Sequence, residues 1–208
     1  MSKTPTLTYF PSHGRAFTIR AALRYAKCPF VDNRIPFAVF KEEWKPNADK
    51  TPLGSLPVID LNDDGVYCQS LAIARWAARK SDLWPKDDLK ILQADELIET
   101  IGELSLKAPQ NPDAEVKKKL REEFAQTAMP KVYSFIAKRL EQNGGPFLLG
   151  KQISLPDLLL FSQVDAITVG DWDYIPSDFF EKGYPSVFAL YKTLKEHPII
   201  KAELEAKQ

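Results

Sequence analysis

Leu7-Thr8-Tyr9-Phe10-Pro11-Ser12-His13-Gly14-Arg15-Ala16 changes character half-way along. With Thr6, its first part is β-branched and aromatic, so residues 6–10 read as a strand with Leu7 and Tyr9 on one face. Pro11-Ser12-His13-Gly14 is a turn cluster. Residues 15–26 then carry Phe17, Ile19, Ala21, Ala22, Leu23 and Tyr25 at crowded but helical spacing. A strand end meets a helix start across a short turn, which is the edge of an α/β sheet where such folds bind ligands. Outward from this stretch lie a short strand at 31–35 and an irregular segment at 36–54, broken by Pro36, Pro46, Pro52 and Gly54. A strand at 56–61, the turn Asn62-Asp63-Asp64-Gly65, a return strand at 66–68 and a helix at 69–80 follow.

Beyond Asp82 the strand signals fade. Residues 90–107 and 113–143 are long helical patterns, separated by Pro109 and Pro112, with a break expected at Met129-Pro130. Ser154-Leu155-Pro156-Asp157 reads as a capping box opening an apolar helix, with proline inside its first turn. Two further helices are expected at 185–197 and 198–206. The pause at 81–85, ended by Pro85, divides an α/β domain, residues 1–81, from an all-α domain, residues 86–208.

The composition is that of a soluble globular chain: 208 residues, 44% hydrophobic and 27% charged. Lys and Arg number 28 and so do Asp and Glu, which removes any whole-chain electrostatic argument for nucleic-acid binding. The charge is uneven, however. Residues 1–80 hold 12 Lys and Arg against 7 Asp and Glu, a net of +5, and the remainder holds 16 against 21, a net of −5. A small anionic ligand is therefore expected on the first part. No apolar run approaches the ~20 residues of a membrane span, and the first residues form no hydrophobic leader. Two cysteines, Cys28 and Cys68, make neither a disulfide framework nor a zinc site, so the expected setting is the reducing cytoplasm. His13 and His197 have no second ligand at metal spacing, so no metal is expected. The G-x-S-x-G, G-x-G-x-x-G, P-loop and Cys-x-x-Cys patterns are all missing.

Three constellations remain: Tyr9 with Gly14-Arg15-Ala16, Gly54-Ser55-Leu56-Pro57 before a strand, and Gln69-Ser70 opening a helix. At a helix start, backbone N–H groups and the dipole favour a carboxylate. Taken singly, Tyr9 reads as a strand aromatic, Arg15 as a solvated helix residue, Pro57 as a strand start and Gln69-Ser70 as a cap. In their joint order and spacing they resemble the cytosolic glutathione transferases, closest to the sigma class. Trp44 within Glu42-Glu43-Trp44, Pro52 to Pro57, Gln69 to Arg75 and the box from Ser154 to Asp157 carry the resemblance over nearly the whole chain.

That resemblance implies a thioredoxin-like N-terminal domain followed by an all-α C-terminal domain, usually as a homodimer, with glutathione as co-substrate and no metal. It implies that Tyr9 and Arg15 are catalytic, because a phenol O–H and a guanidinium both stabilise a thiolate whose parent thiol has a pKa of about 8.5. Leu56, held by a cis Pro57, would pair its backbone with the cysteinyl part of glutathione, and Gln69 and Ser70 would take the γ-glutamyl carboxylate. Trp44 would lie at the glycyl end. Relatives often carry a lysine there, but this chain has Ala48, leaving Lys45 or Lys50 as substitutes. An acidic residue of the neighbouring subunit is expected near the glutathione amine. Here Gly102 stands at its place with Glu103 next to it. Phe10, Ser12, Ser105 and Leu159 are expected to line the pocket for a hydrophobic electrophile. The expected activity is conjugation of glutathione to such electrophiles. The alternatives are a glutathione-dependent, prostaglandin D synthase-like isomerase or a non-catalytic relative.

Overall fold

A computed structural model describes residues 4–206. The chain divides into two compact units: one runs to Trp84 and takes in the final helix, and the other is Pro85–His197.

The first unit is built on a four-stranded sheet in the order β2-β1-β3-β4, from β1 (Thr6–Tyr9), β2 (Val31–Arg34), β3 (Val58–Asp60) and β4 (Val66–Cys68). β1 runs parallel to β2, with Tyr9 opposite Arg34, and antiparallel to β3, with Thr8 opposite Val58. The parallel pair needs a crossover, and α1 (Phe17–Tyr25) supplies it. α3 (Ser70–Ala78) packs on α1. Leu7, Ile59, Ile19, Leu23, Ile73 and Ala77 are buried and form the centre of this unit. The strand expected at 56–61 is shorter, because Pro57 has no N–H to give a ladder and β3 begins after it. The segment expected to be irregular contains α2 (Phe37–Val39), which runs into a π-helical turn, Phe40–Trp44. Pro36 precedes that helix rather than interrupting it, a place where its missing N–H costs nothing.

The second unit holds α4 (Asp88–Lys107), α5 (Ala114–Gln126), α6 (Ala128–Asn143), α7 (Leu155–Thr168), α8 (Phe179–Gly183) and α9 (Pro185–Lys195). The break within the long pattern falls at Thr127, ahead of the expected Met129-Pro130. Pro130 lies in the first turn of α6, where proline is tolerated. α10 (Pro198–Glu205) was expected in the helical domain, but it packs on α1 and belongs to the first unit. The reason is an ion pair: Arg24 Nε donates to the buried Glu203 carboxylate at 2.8 Å. No described helix is long and apolar enough to cross a membrane.

α7 is apolar almost all round and is fixed at its start by one carboxylate. Asp157 accepts from the Ser154 N–H at 2.8 Å, the Ser154 hydroxyl at 2.5 Å and the Leu148 N–H at 2.8 Å. Burial nonetheless pushes its carboxyl up to about 6, against the pull of those donors. A folded-state value above the unfolded one means that the native state holds an extra proton between about pH 4 and 6, so this group's contribution to stability falls as pH rises through that window. Asp157→Asn removes the titration. Urea unfolding of both proteins from pH 4 to 7 should show the wild type's advantage widest near pH 4 and narrowing by up to about 3 kcal/mol by pH 7. Parallel stability curves would contradict it.

Candidate functional site

Tyr9 ends β1 with its backbone fixed, since its carbonyl accepts from the Ile35 N–H at 2.9 Å. Its ring is buried to 8% exposure and its hydroxyl accepts from the Arg15 backbone N–H at 3.2 Å. A phenol that accepts from a fixed amide still has its own proton to donate. The turn allows this because residue 14 is glycine. Gly14 has φ +38°, and a Cβ there would stand 2.6 Å from the Tyr9 hydroxyl oxygen. Any other residue would push the hydroxyl off the amide. The Arg15 side chain is exposed at the start of the short helical turn Gly14–Ala16.

A second layer was not read from sequence. Arg20 of α1 is fully buried; its Nε donates to Asp32 at 2.9 Å and its Nη1 to the Ser12 carbonyl at 2.8 Å. Its guanidinium carbon lies 5.9 Å from the centre of the Tyr9 ring, a cation–π placement. Arg34 pairs with Asp32 at 2.8 Å, and Glu203 stands 4.0 Å from both Arg20 and Arg34. Burial holds the Glu203 carboxyl above the usual carboxylate range, opposed by Arg24 and Arg20. One signal for this network was present in the sequence. Arg20 falls three residues from both Phe17 and Leu23, on a stripe that is otherwise apolar.

Leu56 and Pro57 are buried and joined by a cis peptide bond, immediately before Val58 enters the sheet between Thr8 and Cys68. Gln69, exposed, precedes α3 with φ +75° and ψ 101°. This lies outside the left-handed helical basin, and such backbone costs about 1–3 kcal/mol. Neither Gln69 nor the half-buried Ser70 caps the helix with its side chain. Trp44 closes the π-helical turn; its carbonyl accepts from the Thr51 hydroxyl at 2.8 Å, and Lys50 Nζ lies 5.2 Å over its ring. Lys45 and Lys50 are both exposed, and of the two it is Lys50 that lies over the Trp44 ring.

Phe10 meets Tyr9, Phe37 and Phe40 with ring centres 5.1, 5.9 and 5.3 Å away. Phe37 and Phe40 were missed because their helix lies in the segment expected to be irregular. Ser12 is half-buried, and it is its carbonyl that holds Arg20.

In the second unit Glu103 is exposed and pairs with Lys107 one turn on at 2.6 Å, which holds its carboxyl below the usual range. The Ser105 hydroxyl accepts from Gln163 at 2.7 Å and donates to the Ile101 carbonyl at 3.2 Å. Gln163 in turn accepts from the buried Tyr133 hydroxyl at 2.6 Å. Ser105 therefore offers little beyond its methylene, while Leu159 is half-buried and apolar. Tyr9, Ser12, Gly14 and Arg15 are brought together directly. Leu56–Pro57 and Gln69–Ser70 adjoin the same end of β1, β3 and β4, since Thr8 pairs with Val58 and Val58 with Cys68.

The pattern of the C-terminal domain of glutathione S-transferases matches residues 103–207. Probable glutathione S-transferase 7 of Caenorhabditis elegans is 31% identical over 167 residues, 74% of this chain and 75% of that protein. S-crystallin SL11 of Nototodarus sloanii is 28% identical over 205 residues, 96% of this chain and 95% of its own. Among solved structures, prostaglandin synthase D of Nilaparvata lugens is 30% identical with a TM-score of 0.83, covering 99% of each chain.

The strained Gln69 backbone makes a prediction independent of any ligand. Gln69→Gly relieves the φ +75° penalty at the cost of added unfolded-state freedom. A net stabilisation of about 1 kcal/mol, seen as a rise in Tm of about 2–4 °C, is expected in thermal unfolding. A fall in Tm would show that the Gln69 side chain contributes more than its backbone costs.

Proposed function

Because the chain belongs to the glutathione S-transferase family, we propose that it binds glutathione on its first unit and transfers the glutathione thiolate to hydrophobic electrophiles. The observation that carries this reading is the Arg15 N–H donated to the Tyr9 hydroxyl. It fixes the phenol so that its own proton is directed to an incoming sulfur. A thiol of reference pKa about 8.5 is mostly protonated at pH 7, and a donor to its anion raises the thiolate share. The bound thiol gives its proton to solvent, the Tyr9 O–H hydrogen-bonds the sulfur anion, and Arg15 adds positive charge beside it. The sulfur lone pair then forms the S–C bond while the electrophile's leaving group departs with its bonding electrons.

The remaining residues have positioning roles in this reading. Leu56, ahead of Val58, presents backbone to the cysteinyl unit as an added strand would. Gln69 and Ser70, at the α3 start, receive the γ-glutamyl carboxylate. Trp44, with Lys50 over its ring or the exposed Lys45, takes the glycyl end. Glu103 acts across a homodimer, on glutathione held by the partner. Its exposure on α4 supports this, and its bond to Lys107 must open for it to do so. On the first unit, Phe10 with Phe37 and Ser12 receives the electrophile. The cytoplasm is the setting that agrees with two free cysteines. A glutathione-dependent isomerase is the second reading, favoured by the 30% identity to prostaglandin synthase D of Nilaparvata lugens. It differs in regenerating glutathione rather than consuming it.

Conjugation of glutathione to a generic aryl halide tests the proposal. Tyr9→Phe removes a charge-assisted hydrogen bond, a loss of about 1.5–3 kcal/mol, so kcat/KM should fall about ten- to a hundredfold with glutathione affinity little changed. Gly14→Ala, which displaces the same hydroxyl, should reproduce the loss. Full turnover in Tyr9→Phe would overturn the role of Tyr9. Product formed without glutathione consumption would favour the isomerase.

A further inference from the structure

Phe37 is the most exposed aromatic ring among the described residues, at 67%, and packing does not account for it. The helix that carries it is anchored by a different ring. Phe40 is buried to 7%, and its N–H donates to the Pro36 carbonyl at 3.0 Å. Pro36, at φ −60° and ψ 152°, fixes how the chain enters α2. Phe37 therefore opens α2 on a settled backbone, with a ring that adds little to the core.

Single exposed apolar residues are ordinary on a protein surface, but Phe37 is not single. Its ring centre lies 5.9 Å from that of Phe10 and 6.2 Å from that of Phe40, tilted by 43° and 46°. Phe10 meets Phe40 edge-on, at 5.3 Å and 88°, and stands 5.1 Å from Tyr9. Exposure rises outward along this row: Tyr9 and Phe40 are buried, Phe10 is half-buried and Phe37 is open. A phenylalanine ring carries no polar atom, so the outer part of the row can sort ligands only by shape and by its ring quadrupoles. A further aromatic ring, offset or edge-on, gains from both. An alkyl chain of similar size gains burial alone. Rings already held in place lose little freedom when such a ligand arrives.

We infer that Phe37 is a specificity-determining residue. With Phe10 it forms an aromatic shelf beside Tyr9 that selects electrophiles whose reacting carbon belongs to, or adjoins, an aromatic ring over aliphatic ones. This rests on the reading of the first unit proposed above, as the place where glutathione binds and meets its electrophile. It narrows the hydrophobic electrophiles of that reading to one chemical class.

Binding of two glutathione conjugates to the full chain, measured by titration calorimetry, tests the inference without requiring turnover. S-Benzylglutathione and S-hexylglutathione share the glutathione part and differ in carrying an aromatic ring or an alkyl chain of similar size. Phe37→Leu keeps apolar bulk and removes the ring, and at so exposed a position it should leave Tm close to that of the wild type. Its Kd for S-benzylglutathione should rise about three- to tenfold, and that for S-hexylglutathione by less than about twofold. Phe37→Tyr, which keeps the ring, should retain the wild-type ratio of the two constants. Equal changes for both conjugates in Phe37→Leu would mean a plain apolar contact and overturn the inference. So would an unchanged Kd for S-benzylglutathione, or a Phe37→Tyr protein that behaves as Phe37→Leu does. A wild type that binds neither conjugate removes the glutathione reading and the inference with it, whereas binding of both with no effect at Phe37 removes the inference alone.

Discussion

The amide of Arg15 bonded to the hydroxyl of Tyr9 is the contact on which the candidate site is organised. It closes a stretch of seven residues, 9–15, and constrains both its ends and its turn. β1 must end at Tyr9 in register with Arg34, or the phenol would swing to the other face of the sheet. The turn must bend through a left-handed residue, and that residue must lack a Cβ because the hydroxyl occupies the Cβ position. The turn must also be held from below, which the Arg20 bond to the Ser12 carbonyl does. A weak bond at 3.2 Å is thus defined by strong ones around it. Geometry of that kind is insensitive to solvent because it is built largely from backbone.

Electrostatics in the first unit follows the same economy. The sequence places a net +5 on residues 1–80, but most of those cations sit on the surface, where water and salt weaken them. Arg20 is the exception, taken into the interior at a desolvation cost that its pairing with Asp32 offsets in part. Burial of Glu203 is the counterpart on α10. The terminal helix belongs to the first unit for this reason, although its place in the chain follows the helical one.

The order of strands and helices was legible because period-two and period-3.6 patterns change cleanly at Pro11–Gly14 and again at Gly65–Gln69. The capping box at Ser154 and Asp157 was legible too, since its chemistry is local to four residues. What escaped lies where tertiary context overrides local signals. Pro36 reads as a breaker, yet it opens α2, which hid Phe37 and Phe40 and with them the aromatic wall beside Phe10. Arg20, Asp32 and Glu203 are far apart in sequence and ordinary one by one; only folding makes a cluster of them. Ser105 reads as a polar residue facing a pocket, but its hydroxyl is taken up by Gln163 and Ile101.

The two halves of the proposed chemistry therefore depend on sequence in different ways. The glutathione side is set by backbone: the Arg15 amide, the Leu56 strand edge, the strained Gln69 and the uncapped start of α3. The backbone there keeps its course as long as Gly14, Pro57 and the sheet register persist, which is consistent with a shared fold at 30% identity. The proposed electrophile side of the first unit is set by side chains: Phe10 and Phe37 present shape and apolar surface. Substitution there alters what fits. A scaffold that fixes the nucleophile through its main chain and leaves the acceptor to side chains can change substrate without rebuilding its catalytic turn.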